Sequence, residues 1–487
     1  MNDPQKPRVE PAVLYLLLFF FLLQFSVSIL TYDGNTLSFD ESIWHYIGRN
    51  WFRHGLVPYT GGIDNKSPLV FAIYGLSDLL FGINCWFPRL LGAAVQLIGI
   101  LFLYKTVKNL EGNKAGLVAI SIYGLSLLWR STGGKNVAFA ESYEKSFILA
   151  SVYYCTIAKK QKDNFLSGLL AGIGILFRLT GIFGALALII SLIRKNRLAA
   201  LSFISGLTLI ILVVSSAFSL SGIALHGVFL YGFADNLVAG SITDHSILWR
   251  LENLVNGLFN SEMVLFIPGL VAYLLIKRKL DLFVLWFLLE LIGLNLIGLY
   301  ARQHFRSLLP PLSIMTAVSV AYLVDVYKTP LRPLLIIIWI TFFPKLVEPL
   351  VTLKNLFARR DQKEEKHCQD DDQKINDPDK RKLGLWIRSN SHENEKVFIA
   401  GFSAIVQLYS ERLSPTIYFN VTQTKIAKER LVDDLESNKP ELILIPRFAD
   451  YKTQVDTVIR KYIENLVTRN YEYQNCIYSY GVYRLRK

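Results

Sequence analysis

The sequence predicts a polytopic α-helical membrane protein of about eleven transmembrane helices, ending in a small soluble α/β domain. Three observations carry that expectation. Of 487 residues, 52% are hydrophobic and only 19% charged, with a mean hydropathy of +0.34; a soluble chain of this length needs more polar surface. Apolar runs of about 18–22 residues, the length that crosses a hydrocarbon core of ~30 Å, recur as far as residue 352. The basic residues gather in short clusters between those runs: Lys6/Arg8, Lys105/Lys108/Lys114, Lys159/Lys160/Lys162, Arg194/Lys195/Arg197, Lys277/Arg278/Lys279 and Lys328/Arg332. Clusters so placed mark cytoplasmic loops. The formal net charge of +13 is therefore topological and argues against a nucleic-acid partner.

The first span, about residues 12–31, follows a short basic segment. It is long for a signal-peptide core and lacks a small-residue cleavage site, so it reads as a retained helix with the N-terminus inside. A polar segment from Tyr32 to about Arg89 then lies on the outer face. Within it 71–81 is apolar but short, which fits an interfacial or partly buried helix. Further spans are expected near 88–104, 115–130, 142–158, 164–177, 180–193, 199–221, 261–277, 281–300 and 306–326. A weaker one covers 332–353, where Lys345 and Glu348 interrupt the apolar stretch and have the spacing to pair. The short runs 164–177 and 180–193 flank Arg178, an arrangement that suits broken helices lining a cavity.

The membrane domain is thus expected over 1–353, a charged linker over 354–382, and a soluble α/β domain over 383–487, outside the cytoplasm. In that tail EKVFIAG, PTIYFN and ELILIP read as strands, AKERLVDDLES and VDTVIRKYIENLVTRN as helices, together a βαβ type. The four cysteines, Cys85, Cys155, Cys368 and Cys476, show no paired spacing. Neither a disulfide framework nor a metal knuckle is expected.

The outer segment after the first span, SFDESIWHYIGRNWFRHGLVPYTGGIDNKSPLVFAIYGL, is the densest in chemistry. Ser38 and Glu41 have the spacing of a capping box, which starts a helix at Phe39. Ile43, Trp44, Ile47 and Trp51 then share one apolar face, as on a helix lying at the interface. Asp40 falls in the first turn, where the helix dipole keeps it ionised. An ionised carboxylate at the membrane surface is what a general base for a hydroxyl or amine requires. The plainer role of a helix-start acid is equally open to Asp40, and Glu41 is explained by the cap itself. Asp64 and Lys66 stand in Asp64-Asn65-Lys66-Ser67-Pro68-Leu69, directly before the short apolar run. A fixed cation there stabilises charge developing on a lipid phosphate, or only snorkels to anchor the helix.

Glu141, with Glu144 one turn later, opens the 142–158 span, and Glu141 and Lys145 have the i, i+4 spacing of a pair. Arg302, His304 and Arg306 in RQHFRSLLPPL sit between two spans on the outer face, against the positive-inside trend. Such exceptions suit an anionic headgroup or carrier phosphate. Arg89, after Pro88, suits either an interfacial anchor or a ligand. No cofactor is evident, no carboxylate or histidine cluster has metal-ligand spacing, and a divalent ion at Asp40 or Glu141 is left open.

Together the acid after the first span (FDES), the D-x-K-x-P-L element, Pro88-Arg89 and RQHFRSLLPPL resemble the GT-C superfamily of glycosyltransferases, in particular its protein mannosyltransferase and aminoarabinose transferase branch. The resemblance covers about residues 1–350 and is strongest over 38–100. It implies inverting transfer of a sugar from a polyprenyl-phosphate-linked donor to an extracytoplasmic lipid, polysaccharide or protein, at the plasma membrane. By the same resemblance Asp40 matches the catalytic base, Lys66 the carrier-phosphate ligand, Glu141 a second loop acid, and Arg302 or Arg306 a further phosphate ligand. Ser67 departs from a proline frequent in the family, and Glu41 beside Asp40 leaves two acids for one base. The alternative is a transporter or flippase of a lipid-linked saccharide. That function places ionisable groups deep in helices and often shows two similar halves, whereas the conspicuous charges here fall at span ends.

Overall fold

The computed structural model describes residues 10–30, 37–133, 136–234, 246–298, 300–328, 330–342, 377–419, 425–447, 455 and 457–486. Expectations for Lys345, Glu348, Cys368 and the linker up to residue 376 lie outside the described residues. The chain divides into two compact units. A helical unit takes 1–31, 89–217 and 240–355; a mixed unit takes 32–88, 218–239 and 356–487.

In chain order the first helices are α1 (Pro11–Leu30), α2 (Phe39–His54), α3 (Pro68–Phe81), α4 (Trp86–Ser126), α5 (Ala140–Ile157), α6 (Gln161–Phe177), α7 (Gly181–Lys195) and α8 (Arg197–Leu220). There follow a short α9 (Leu225–Phe229), α10 (Ile247–Asn260), α11 (Ile267–Lys277), α12 (Leu282–Ile297), α13 (Leu309–Val326) and α14 (Leu331–Phe342). By length and composition, four described stretches can cross a membrane: α1, α4, α8 and 302–326. A fifth results if α10 and 263–277, bent by 79°, form one span, while α3, α12 and α14 are apolar but shorter.

Most expected spans coincide with helices, yet their division differs. The runs near 88–104 and 115–130 join as the 41-residue α4, broken at Gly112, whose φ of 88° and ψ of 175° only glycine adopts without strain. At 1.5 Å per residue a straight helix of that length would reach about 60 Å, twice a hydrocarbon core, and Gly112 breaks α4 in its basic middle. The break foreseen around Arg178 is present: Arg178 leaves helical geometry (φ −154°, ψ 124°) between α6 and α7.

In the mixed unit α2 begins as its sequence requires. The Ser38 side chain accepts from the Glu41 amide, and the Glu41 carboxylate accepts from the Ser38 amide at 2.9 Å. Gly55 ends the helix in the left-handed region, φ 69°. The interfacial picture of α2 needs correction, however, because Glu41 through Gly48 are all buried. Helix α3 lies so close to it that a Cβ on Gly48 would fall 2.4 Å from the Gly75 amide nitrogen and the Phe71 carbonyl oxygen.

The tail adds α15 (Asp377–Ser389), β1 (Val397–Ile399), α16 (Ala404–Ser410), α17 (Lys425–Ser437), β2 (Leu442–Pro446), α18 (Thr457–Asn470), β3 (Tyr471–Ile477) and β4 (Tyr480–Leu485). The sheet order is β1-β2-β4-β3. Strand β1 runs parallel to β2 with Val397 opposite Leu442, as a βαβ unit requires, and β4 is antiparallel to both its neighbours. Two expectations change. PTIYFN is not a strand over its described part, because its backbone bonds outside the sheet, the Ile417 carbonyl accepting from the Ile63 amide at 3.2 Å. Cys476 is disulfide-bonded, a link that the scattered cysteine spacing hid.

Candidate active site

In the mixed unit the candidate residues are arranged around α2. At 100° per residue, counted from Phe39, Asp40 projects at about 100°, between Ile47 at about 80° and Trp44 at about 140°. A Cβ on Gly62 would meet the Ile47 side chain at 2.9 Å, and the Trp44 indole N–H donates to Asp64 at 2.8 Å. The loop 57–66 therefore covers the same side of α2 on which Asp40 sits. That loop is fixed by Asn50, which donates to the Gly61 carbonyl at 2.8 Å, and by Tyr59. Tyr59 takes the left-handed region (φ 68°), is buried, and donates its hydroxyl to the Lys66 carbonyl at 2.7 Å. Burial, assisted by the Asp64 carboxylate, pushes the Tyr59 phenol above its ordinary range, so it stays a donor.

Lys66 itself is half-buried and its ammonium donates to the Asn65 side chain at 2.9 Å. Ser67, where the family often has proline, caps α3: its hydroxyl accepts from the Leu69 amide, with Pro68 in the first turn. Glu41 is buried and, besides its capping bond, accepts from the Tyr74 hydroxyl at 3.4 Å. Asp40 is half-buried in the first turn.

The helical unit holds the remaining candidates. Arg89, buried at the start of α4, donates to the Ser28 carbonyl of α1 at 2.9 Å, which favours the anchoring reading. Glu141 occupies the first turn of α5 and pairs with Arg178 at 3.3 Å. The pair suggested by its i, i+4 spacing gives way to a longer-range network. Lys145 binds Glu144 at 2.8 Å and Glu290 at 2.9 Å, Arg178 reaches Glu144 at 3.7 Å, and the Trp286 indole donates to Glu290 at 2.9 Å. Glu290 lies inside the apolar α12, so ionisable groups do occur deep in the helices, contrary to the expectation from sequence. A lone glutamate in such a helix was the available signal.

Of the basic motif, Arg302 is exposed, while His304 lines a small cleft with Arg178, Thr180, Phe183, Glu290 and Ser307. Arg306 is buried and donates to the Asn136 carbonyl at 3.3 Å and to Gln96 and the Gly133 carbonyl at 3.5 Å. Among the described residues these hydrogen-bond partners are all neutral. No group of three or more His, Cys, Asp and Glu able to hold a metal ion occurs among the described residues.

Comparison with known proteins matches residues 65–220 to the family of dolichyl-phosphate-mannose-protein mannosyltransferases. No curated protein matches the chain. Among solved structures, ArnT from Cupriavidus metallidurans bound to undecaprenyl phosphate superposes with a TM-score of 0.65 at 12% identity, covering 98% of both chains. The archaeal oligosaccharyltransferase AglB from Archaeoglobus fulgidus, in complex with an inhibitory peptide and a dolichol-phosphate, gives 0.53 at 11% identity over 90% of this chain and 69% of its own. The resemblance read in the sequence thus meets a family match over residues 65–220 and a fold shared with ArnT and AglB.

Proposed function

We propose that the protein is a membrane glycosyltransferase that moves a sugar from a polyprenyl-phosphate-linked donor to an extracytoplasmic lipid, polysaccharide or protein, inverting the anomeric centre. The observation that carries this reading is the fold shared over 98% of both chains with an ArnT bound to undecaprenyl phosphate. The family match adds support, since its segment includes Lys66 and Glu141. In the proposed reaction the acceptor oxygen or nitrogen attacks the anomeric carbon as Asp40 takes its proton. The bond from that carbon to the phosphate oxygen breaks on the opposite side, and the polyprenyl phosphate leaves with the electron pair. Lys66, with Arg302 or Arg306, meets the charge gathering on the phosphate. Arg306 is proposed for that role as a buried guanidinium hydrogen-bonded to neutral oxygens, with the Glu141 carboxylate within electrostatic reach.

Glu141 is the second acid, oriented by Arg178. Glu41, Asp64, Arg89 and His304 complete the proposed binding set; Glu41 and Arg89 already carry structural bonds, so the weight falls on Asp64 and His304. The reading invokes no cofactor. It places the chain in the plasma membrane with its N-terminus in the cytoplasm and the 383–487 domain outside. The disulfide at Cys476 supports that side, because cytoplasmic thiols are kept reduced.

Protein purified in lipid is expected to release sugar from a labelled polyprenyl-phosphate donor, with Asp40→Asn losing about 10²–10⁴ in rate. Tight donor binding without turnover across a broad acceptor panel would sink the transferase. A flippase for lipid-linked saccharides is the second reading, favoured by the network of Glu144, Lys145, Arg178 and Glu290, whose Glu290 lies inside an apolar helix. Donor translocation in liposomes separates the two.

A further inference from the structure

Helix α2 is held from two directions within the mixed unit. Counted from Phe39 at 100° per residue, Glu41, His45, Gly48 and Phe52 fall between about 180° and 240° and meet α3. Glu41 bonds Tyr74, His45 approaches Asp78 at 3.2 Å, Gly48 abuts Gly75, and a Cβ on Gly75 would meet the Phe52 ring. Phe39, Tyr46 and Arg49 occupy the neighbouring arc from about 280° to 360°, and all three meet the tail. The Phe39 ring stands edge-on to Phe402 at 5.7 Å and the Tyr46 ring lies 4.2 Å from Phe419. The Tyr46 hydroxyl accepts from the Ser414 amide at 2.8 Å. The tail therefore touches α2 beside Asp40, at its middle and near its end.

The last of these contacts is ionic. Arg49 donates to Asp78 of α3 at 3.0 Å and to Glu411 at 2.5 Å. Arg53 also bonds Asp78, and Arg388 of α15 bonds the other Glu411 oxygen at 2.5 Å. Glu411 ends α16 in the left-handed region, φ 52°, where a residue without special backbone freedom is strained by about 1 kcal/mol. Its carboxylate thus joins one arginine of α2 to one of α15, and the Asp78 side chain, fully buried, anchors the chain of charges at its other end. A rigid helix fixed at Arg49 is fixed about 14 Å away at Asp40.

We propose that Glu411 is a positioning residue: the C-terminal segment clamps α2 through the Arg388–Glu411–Arg49–Asp78 chain and so sets the position of Asp40. The proposal rests on the reading of Asp40 as the general base. A side chain misplaced by about 1 Å costs up to ~10² in rate without altering what the site binds. The clamp therefore acts on kcat and leaves donor KM alone.

The test is full-length protein in lipid carrying Glu411→Gln or Glu411→Lys, with Glu395→Gln as comparison. Glu395 pairs with Arg484 inside the tail at 3.2 Å and is no member of the Arg388–Glu411–Arg49–Asp78 chain. Two readouts are taken: amide exchange over residues 39–50, and turnover of a labelled polyprenyl-phosphate sugar. Glu411→Lys is expected to speed exchange in α2 by about tenfold or more, the scale of a lost charged hydrogen bond, and to lower kcat by about tenfold with KM within about twofold. Glu411→Gln does the same to a smaller degree, and Glu395→Gln does neither. Unchanged amide exchange over 397–399 and 442–446 certifies that the sheet is intact. Unchanged exchange in α2, or faster exchange with undiminished kcat, would overturn the proposal, as would an equal effect of Glu395→Gln. Absence of turnover in the wild type would instead remove the glycosyltransferase reading, and the exchange data alone would then decide whether the clamp exists.

Discussion

Two groups of acids, one in each unit, are held by different means. In the mixed unit Glu41 accepts from the Ser38 amide and the Tyr74 hydroxyl and Asp64 from the Trp44 indole, neutral partners at most 33 residues away, although Asp78 and Glu411 of that unit are paired with arginines. In the helical unit Glu141, Glu144 and Glu290 are held by Lys145 and Arg178, so residues nearly 150 positions apart share one ionic network. Neutral donors fix a carboxylate in place without cancelling its charge, which suits a group that must take up a proton. Buried ion pairs cancel charge and make each member depend on the others. Acids in the first setting can therefore gain a proton without breaking an ion pair, and those in the second, the proposed second acid Glu141 among them, cannot.

Substitutions sharpen that contrast. The largest effect is expected from Asp40→Asn, about 10²–10⁴ in turnover with little change in thermal stability; equal losses of activity and stability would erase the distinction. In the helical unit Lys145→Met leaves Glu144 and Glu290 buried without their shared cation. Thermal unfolding in detergent is expected to show a loss of about 3–5 kcal/mol, and a change within error would mean that the network contributes nothing. Gly48→Ala drives a methyl into the α3 backbone and should cost about 1–3 kcal/mol. Ser38→Ala removes only the cap of α2, about 1 kcal/mol, and amide exchange in the first turn reports it.

The gentlest probe is acid. Burial opposes ionisation of Asp78, but His45, Arg53 and Arg49 outweigh it and hold the carboxyl below its usual range. A depressed folded-state pKa stabilises fully above the unfolded value of about 3.9 and is lost as pH falls below it. Resistance of the α2–α3 pair to opening, followed by exchange, should therefore weaken on acidification below about pH 4 and be indifferent between pH 6 and 8. Asp78→Asn should flatten that profile.

What was legible in the sequence follows the same division. The capping box at Ser38, the break at Arg178 and the strands at 397–399 and 442–446 are written in neighbouring residues, and they were read. The burial of α2 was not, because its second covering comes from residues more than 350 positions later. An amphipathic helix packed by two partners looks, residue by residue, like one lying on a membrane surface. The β3–β4 hairpin was missed for another reason. Its two-residue turn puts both Tyr478 (φ 47°) and Ser479 (φ 62°) in the left-handed region, where Asn-Gly is the usual signal. The Tyr478 ring is buried, and that burial offsets the backbone cost. Pairing of Lys145 with Glu290 escaped notice because charge spacing along one helix reports only that helix.

A helix covered on both sides has few places at which its sequence can drift. In α2 only Phe52, Arg53 and His54 are exposed, all in the last turn. A saturation scan should accordingly find a tolerant end and an intolerant body from Phe39 to Asn50. Change inside that body would need a matching change in α3 or in the tail. The helix and the C-terminal segment are then bound to vary together, and a tail exchanged from a distant relative would be accepted only with its own version of α2.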